Sequence, residues 1–405
     1  MQNRPAWPET RVGWRDLIEA WTRRHPSTRL RCVRPAEPGV HACPRAKGHA
    51  LTMVVIGVDP HKHTHTAVAV DQVGRKLGQT TVAADEAGLL RLWAWAERFR
   101  PHSGSGCRWA VEDGRGVAGR LVRTLVGMGA AVVWVPPKLM TQCRASGRSR
   151  GKSDPIDALA IARAALREPD LPAVMLDEVA LDLRLLTDRR ETLVAARAAG
   201  INRLRWHLHD LAPGLDAGMR VLTGRRRQQV LAEAITALPA SVRRDITLDV
   251  LADITRLTEQ IRLIEQRISE LVIPVAPALM AIVGINVLGA AKLIGEVAGI
   301  TRFRNAAAFA MHTGTAPIPV WSSNKPQYRL NRGGNRQLNT CLHRIALIQL
   351  IHHPPAQQFR DNWATNHPNA TKKAAIRALK RHLADVIYRA LQADHQHQHQ
   401  PATTT

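Results

Sequence analysis

A run of small and β-branched apolar residues, Val54-Val55-Ile56-Gly57-Val58, ends directly on a carboxylate, Asp59. A segment this short and this apolar predicts a central strand buried on both faces. The acid stands where that strand leaves the core. A charge there is costly to desolvate unless it has a partner, and a metal ion is one such partner. The other reading of Asp59 is a strand-end residue that starts a turn with Pro60.

From Met53 onward the pattern predicts three hairpin-linked strands followed by alternating helices and strands. After Val54–Val58 come Thr66–Val70 and Lys76–Val82, then a helix over about Asp85–Phe99. Arg108–Val111 reads as a strand ending at Glu112, Gly116–Met128 as a helix, and Ala131–Val135 as a strand closed by Pro136-Pro137. Asp154-Pro155 opens the last helix, to about Leu166. This order gives a mixed sheet, the ribonuclease H-like layout, over residues 53–168.

Residues 169–275 are expected to be helical. Val194, Ala198, Ile201, Leu204, Leu208 and Leu211 form one stripe of a long helix that Pro213-Gly214 breaks. Val250, Ile254, Leu257, Ile261, Ile264, Ile268 and Leu271 alternate steps of four and three. That spacing predicts a coiled-coil arm, or else a helix packed in the chain's own bundle. Residues 276–391 are expected to form a mainly helical domain. The tail 392–405, with alternating His395, His397 and His399, is low in complexity and expected to be disordered. Residues 1–52, rich in Arg, Pro and Trp without sustained periodicity, are expected to be a disordered arm or an over-extended reading frame, with Met53 as the true start.

Composition narrows the partner. Lys and Arg number 57 against 33 Asp and Glu, a formal charge of +24, which implies a polyanion, nucleic acid before membrane. That balance does not separate an enzyme from a binder. Five scattered cysteines without a C-x-x-C spacing read as reduced thiols of a cytosolic protein, with neither a disulfide framework nor a zinc site. No uninterrupted apolar run reaches spanning length, and the polar, Arg-rich start is unlike a secretory signal.

Three more acids join Asp59. Glu112 ends the strand expected beside the first, so the two carboxylates meet at one edge of the sheet. Asp154 and Asp157, three residues apart at a helix start, share one face. Such a set suits two hard divalent cations, Mg²⁺ or Mn²⁺, which can clamp a scissile phosphate. The second pair also has a capping reading: Asp154 as N-cap, Pro155 at the first helical position, and Asp157 favoured by the helix dipole. Four acids in this order, on these elements, favour metal ligation. Asp113 is an alternative ligand, although strand alternation points it the other way. His61, His63 and His65 cluster after Asp59 and either contribute to the site or, the favoured reading, form a solvated turn.

A second half-site lies downstream. Leu279 to Ile294 looks like a helix-hairpin-helix around Gly284-Ile-Asn286, able to bind a backbone phosphate, or else an ordinary helical hairpin. Beyond it, Ser322 and Ser323 sit in an expected loop with Lys325, Arg329, Arg332 and Arg336, whose cations can hold phosphate oxygens. Gly333-Gly334 allows close approach of backbone amides; Gly333 and Asn335 belong to the same nucleic-acid contact set. A serine hydroxyl in such a loop is either a phosphate contact or a covalent nucleophile, and Tyr328 is a competing nucleophile.

Gly57-Val-Asp59 with Lys62, Glu112-Asp-Gly-Arg, Lys152-Ser-Asp154-Pro-Ile-Asp157-Ala, Gly284-Ile-Asn286, Arg302-Phe303, Gly314-Thr-Ala-Pro317, Ser322 and Gly333-Gly-Asn335-Arg336 occur in order between Met53 and Leu391. This series resembles the transposases of the insertion-sequence 110 family. The resemblance implies an α/β plus all-α chain: an N-terminal RuvC-like domain, a helical coiled-coil arm and a C-terminal transposase domain. It implies an acidic tetrad at Asp59, Glu112, Asp154 and Asp157 and a catalytic serine at Ser322. Where the family usually has Gly after that serine, this chain has Ser323. It further implies a DNA recombinase that excises and inserts its element with Mg²⁺ through a 5′-phosphoserine intermediate. A bridge RNA would pair with target and donor DNA. Dimers would pair into tetramers, each half-site from a different subunit, in the bacterial cytoplasm at the nucleoid. Two other functions stand beside this one: a RuvC-like Mg²⁺-dependent junction nuclease with water as nucleophile, and a non-enzymatic nucleic-acid-binding protein whose carboxylates only cap helices.

Overall fold

The structure is a computed structural model that describes residues 53–100, 106–112, 117–145, 153–171, 173–218, 222–321, 326–368 and 371–399. The chain divides into two compact units, Met1–Leu176 and Asp177–Thr405.

The first unit runs β1 (Val55–Pro60), β2 (Thr64–Val70), β3 (Lys76–Ala83), α1 (Glu86–Glu97), β4 (Arg108–Glu112), α2 (Gly119–Gly127), β5 (Ala131–Val135), α3 (Pro137–Ala145) and α4 (Asp154–Arg167). The sheet order is β3-β2-β1-β4-β5. The two hairpin pairs are antiparallel, and β4 and β5 add in parallel. The apolar run is therefore the middle strand, as burial on both faces requires. Alternation divides its side chains: Ile56 and Val58 join the core of α1 and α2 with Leu92, Leu121 and Trp109. Val55 joins the opposite core with Ile161 of α4 and Met140 of α3. Burying each of these large side chains contributes about 1.5–3 kcal/mol.

Gly57 sets the closest approach in this unit. A Cβ there would stand 2.2 Å from the Ala158 carbonyl oxygen and 2.4 Å from the Ala162 nitrogen. Only glycine lets the α4 backbone lie directly on β1, and Ala158 and Ala162 keep the helix side of the contact small. The helix that begins with Asp154 is thus pinned to the strand that carries Asp59. Register completes the arrangement: Val58 pairs with Val111, so Asp59 and Glu112 are the next residues of two parallel neighbours.

The second unit runs α5 (Glu178–Leu211), a 3₁₀ turn (Pro213–Gly218), α6 (Arg225–Thr236), α7 (Val242–Val272), α8 (Pro277–Met280), α9 (Val287–Val297), a second 3₁₀ turn (Ile300–Arg302), α10 (Ala306–His312), β6 (Ile318–Trp321), β7 (Pro326–Arg329), α11 (Arg336–His352), α12 (Pro354–Asn366) and α13 (Lys372–His399). Helices α5 and α7 lie antiparallel, since Arg190 pairs with Glu265 and Asp210 with Arg243. The heptad stripe of α7 is covered by the same chain: Ile254 packs with Leu204 and Leu208, and Ile268 with Leu183. This is an intrachain helix pair. Helix α6 packs on the same pair through Leu231 and Ile235, and α8 to α13 surround a core of Phe309, Leu338, Leu342, Leu383 and Ile387.

Three sequence expectations are corrected here. The stretch after Pro136-Pro137 is not only a strand stop, because Pro137 opens α3, a position where its missing N–H costs nothing. The segment around Pro317 and Pro319 is not all loop: β6 and β7 form a two-stranded antiparallel ribbon, whose edges tolerate proline. The tail is helical to His399, because the Asp394 carboxylate accepts hydrogen bonds from the Ala278 and Leu279 amides (2.7 and 3.0 Å) and ties α13 to the start of α8. Residues 1–52 and 400–405 lie outside the described residues. Among those described, no helix is long and apolar enough to cross a membrane.

Candidate active site

Asp59 ends β1 with only 6 % of its surface exposed. Burial pushes its carboxyl up to about 6; His61 opposes that shift, while Asp157, Asp154 and Glu112 add repulsion. All three other acids of the expected tetrad therefore act on Asp59. Asp154 and Asp157 reach it from the first turn of α4, and Glu112 from the end of β4.

The capping reading of α4 is not what forms. Ser153 is the N-cap residue, and its carbonyl accepts from the Ile156 and Asp157 amides at 2.9 and 3.0 Å. Asp154 is the first helical residue, and its carboxylate turns to His61, with Oδ1 3.3 Å from Nε2. The same nitrogen lies 3.3 Å from Asp59 Oδ2. Asp157 accepts from Arg144 at 2.9 Å, an ion pair that joins α4 to the last turn of α3.

Arg144 is the neighbour of the acids that sequence spacing misses, and His61 takes the less favoured of its two readings. The three histidines do not behave as one solvated turn. His63 is exposed. His65 is buried, its Nδ1 has no hydrogen-bond partner among the described residues, and burial lowers its pKa. His61 is half-exposed and stands between two acids. One ligand atom each from Asp59, His61 and Asp154 lie within 4.8 Å of one another, a group able to hold a metal ion. Glu112 and Asp157 are not in that group among the described residues; Asp59 and Asp154 supply the carboxylate oxygens that a hard divalent cation takes. Asp113 lies outside the described residues.

In the second unit the expected contact residues divide. Arg329, Arg332, Gly333 and Arg336 are exposed. Asn335 is not free: its Oδ1 accepts from the Gln337 and Leu338 amides as the N-cap of α11, and its Nδ2 donates to Glu296 at 2.7 Å. The Gly333 amide donates to Asn331 Oδ1 at 2.9 Å. Gly334 lies on the turn at Gly314, where an added Cβ would meet the Gly314 nitrogen at 2.2 Å. Arg302 donates to the Val297 carbonyl at 2.7 Å and lies over the Phe303 ring, which gives that motif a packing role. The hairpin turn at Gly284, with φ of 90°, is held against α11 by a hydrogen bond from Gln349 to the Val283 carbonyl (2.8 Å). Ser322, Ser323 and Lys325 lie outside the described residues; Tyr328 is exposed.

A DEDD transposase profile of the IS110 type matches residues 56–213, and a profile described as "Transposase IS116/IS110/IS902 family" matches residues 276–361. Together they take in more than half of the chain. It belongs to the IS110 family of transposases. Among its relatives in that family is the insertion element IS116 uncharacterized 44.8 kDa protein of Streptomyces clavuligerus, 28 % identical over 75 % of this chain and 86 % of the relative. The insertion element IS900 uncharacterized 42 kDa protein of Mycobacterium paratuberculosis is 26 % identical over 86 % of this chain and 98 % of that one. A solved structure titled "T. thermophilus RuvC in complex with Holliday junction substrate" aligns over 30 % of this chain and 99 % of its own, at 20 % identity and a TM-score of 0.24. At that level the likeness carries no weight, whereas the sheet order and the IS110 profiles do.

Proposed function

We propose that this IS110-family chain is a DNA recombinase that cuts and rejoins the ends of its own element and a target through a phosphoserine. The observation that carries the reading is the meeting of Asp59 and Asp154 ligand atoms within 4.8 Å, with Glu112 on the strand beside Asp59 and Asp157 in the same first turn of α4 as Asp154. Carboxylates crowded at the mouth of a sheet raise one another's energy unless a cation neutralises them. Asp59, Asp154, Glu112 and Asp157 are the residues to hold Mg²⁺ or Mn²⁺, whose charge would offset that developing on a scissile phosphate. Arg144, paired with Asp157 at 2.9 Å, offsets the charge of that acid.

Ser322 is the nucleophile in this reading. Its Oγ forms a bond to phosphorus and loses its proton; the P–O3′ bond breaks, and the leaving 3′ oxygen takes up a proton. The product is a 5′-phosphoserine and a free 3′-hydroxyl. Attack by a 3′-hydroxyl of another strand reverses the step, so strands exchange without an external energy source. Exposed Arg329, Arg332 and Arg336, with Lys325, would hold the DNA backbone and contribute affinity rather than sequence choice. Sequence choice would come from a bridge RNA, and a dimer or tetramer would supply paired half-sites. The basic charge of +24 supports a nucleic-acid partner.

The test is a denaturing gel of the full chain with labelled element-junction DNA, RNA transcribed from the flanking DNA, and Mg²⁺. An adduct is expected that disappears in Ser322→Ala and Asp59→Ala and persists in Ser323→Ala and Tyr328→Phe. Cleavage without an adduct, unaffected by Ser322→Ala, would replace this mechanism with hydrolysis.

A further inference from the structure

His61 follows Asp59 by two residues and belongs to the turn that joins β1 to β2. Its main chain is fixed there, since the His61 amide donates to the Thr64 carbonyl at 2.8 Å and the His63 carbonyl accepts from Ala84 at 2.9 Å. The imidazole projects from this fixed turn into the acidic site, with Nε2 3.3 Å from one oxygen of Asp59 and 3.3 Å from one of Asp154. Donor atoms that share one ion at about 2.1 Å lie roughly 3.0 Å apart at octahedral angles and about 3.4 Å apart at tetrahedral ones. The observed separations fall in that interval. The two carboxylates come from different elements, β1 and α4, and meet at the same ring nitrogen.

We propose that His61 is a direct metal ligand through Nε2 and tunes the site toward Mn²⁺, or a similar imidazole-accepting divalent ion, over Mg²⁺. This rests on the reading of the acidic edge as a cation site. Its chemical basis is the mixed donor set. Mg²⁺ strongly favours oxygen and dehydrates reluctantly, whereas first-row transition ions accept imidazole nitrogen together with carboxylate. An all-carboxylate site would lack the added preference that an imidazole ligand supplies. With Nε2 given to the ion, the ring proton resides on Nδ1.

The experiment uses the full chain and Mn²⁺ alone. Pulsed EPR of the bound ion reports nitrogen ligation as ¹⁴N modulation, independently of activity. Wild type is expected to show it. His61→Ala and His61→Asp are both expected to lose it, while His61→Asp still binds Mn²⁺ and so reports a folded site. Mn²⁺ affinity should fall about tenfold in His61→Ala, and Mg²⁺ affinity, measured by competition, by less than about threefold. Mn²⁺ bound to wild type without ¹⁴N modulation, but lost in Asp59→Asn, would overturn the nitrogen ligand and leave the acidic site standing. Modulation that survives in His61→Ala would assign the nitrogen to another histidine and overturn the proposal. Failure of wild type to bind Mn²⁺, or binding unchanged in Asp59→Asn, would remove the acidic-site reading and this proposal with it.

Discussion

The edge of the five-stranded sheet and the segment from Arg329 to Arg336 both carry polar residues that the sequence marks for chemistry, yet the fold treats them differently. At the sheet edge the polar groups are left in conflict. Asp59 is buried among three other acids, and its carboxyl is pushed up to about 6. Along 329–336 the fold uses much of the polar set itself: Asn335 caps α11 and holds Glu296, and the Gly333 amide is taken by Asn331. Arg329, Arg332 and Arg336 remain exposed. A region whose groups repel one another at the cost of stability invites a ligand. A region whose groups satisfy one another is chiefly scaffold, with its exposed cations as the part open to a partner.

The largest test of this contrast is Asp59→Asn. Strand cleavage is expected to fall by about 10³-fold or more, whereas Asn335→Ser, which keeps a capping oxygen without setting a second carboxylate against Glu296, should change it far less. A quantitative cleavage assay on both variants checks this.

Next come the close backbone approaches, one in each region. Gly57→Val and Gly334→Val each drive a side chain into backbone atoms 2.2 Å from the first added carbon. Each should cost about 3 kcal/mol or more, because backbone cannot yield as a side-chain end can. Chemical denaturation should show Gly57→Val destabilising the first unit and Gly334→Val the second.

The stability of the Asp59 variant then separates conflict from support. Because the folded pKa of Asp59 lies above its unfolded value of 3.8, the native state binds the proton more tightly. Wild-type stability without metal should fall as pH rises from about 4 to 6, by up to about 3 kcal/mol. Asp59→Asn should therefore be the more stable protein at pH 7.5 in the absence of divalent ions, with no advantage near pH 3.5. Added Mn²⁺ should reverse the order by stabilising wild type alone. Denaturant titrations at the two pH values, with and without Mn²⁺, give the answer.

Asn335→Ala, by contrast, should simply destabilise, by about 1–2 kcal/mol for the lost cap, with no dependence on metal. The smallest effects belong to the exposed arginines. Arg329→Ala, Arg332→Ala and Arg336→Ala should leave stability within about 0.5 kcal/mol. Each should reduce the salt slope of DNA binding by about 1.

Much of the sheet edge is legible in the sequence because its signals are short-range. The run into Asp59, the strand ending at Glu112 and the Asp-Pro-Ile-Asp helix start each lie within one element, and strand order brings them together. What the sequence hides there depends on tertiary approach. His61 reads as part of a polar turn until α4 delivers Asp154 beside it. Arg144 lies in α3, which two prolines disguise as a loop, and Ser153 takes the N-cap position that the sequence offers equally to Asp154. In the second unit, the use of Asn335 depends on Glu296, 39 residues earlier in the chain. The persistence of α13 through a His- and Gln-rich tail depends on Asp394 meeting α8. Neither has a local signature.

The central claim is that the acids at the sheet edge form one cation site. The most direct measurement is an anomalous difference map from a crystal of the full chain grown with Mn²⁺. The account expects a strong peak between Asp59 and Asp154. A saturating Mn²⁺ concentration that leaves no peak there would contradict it.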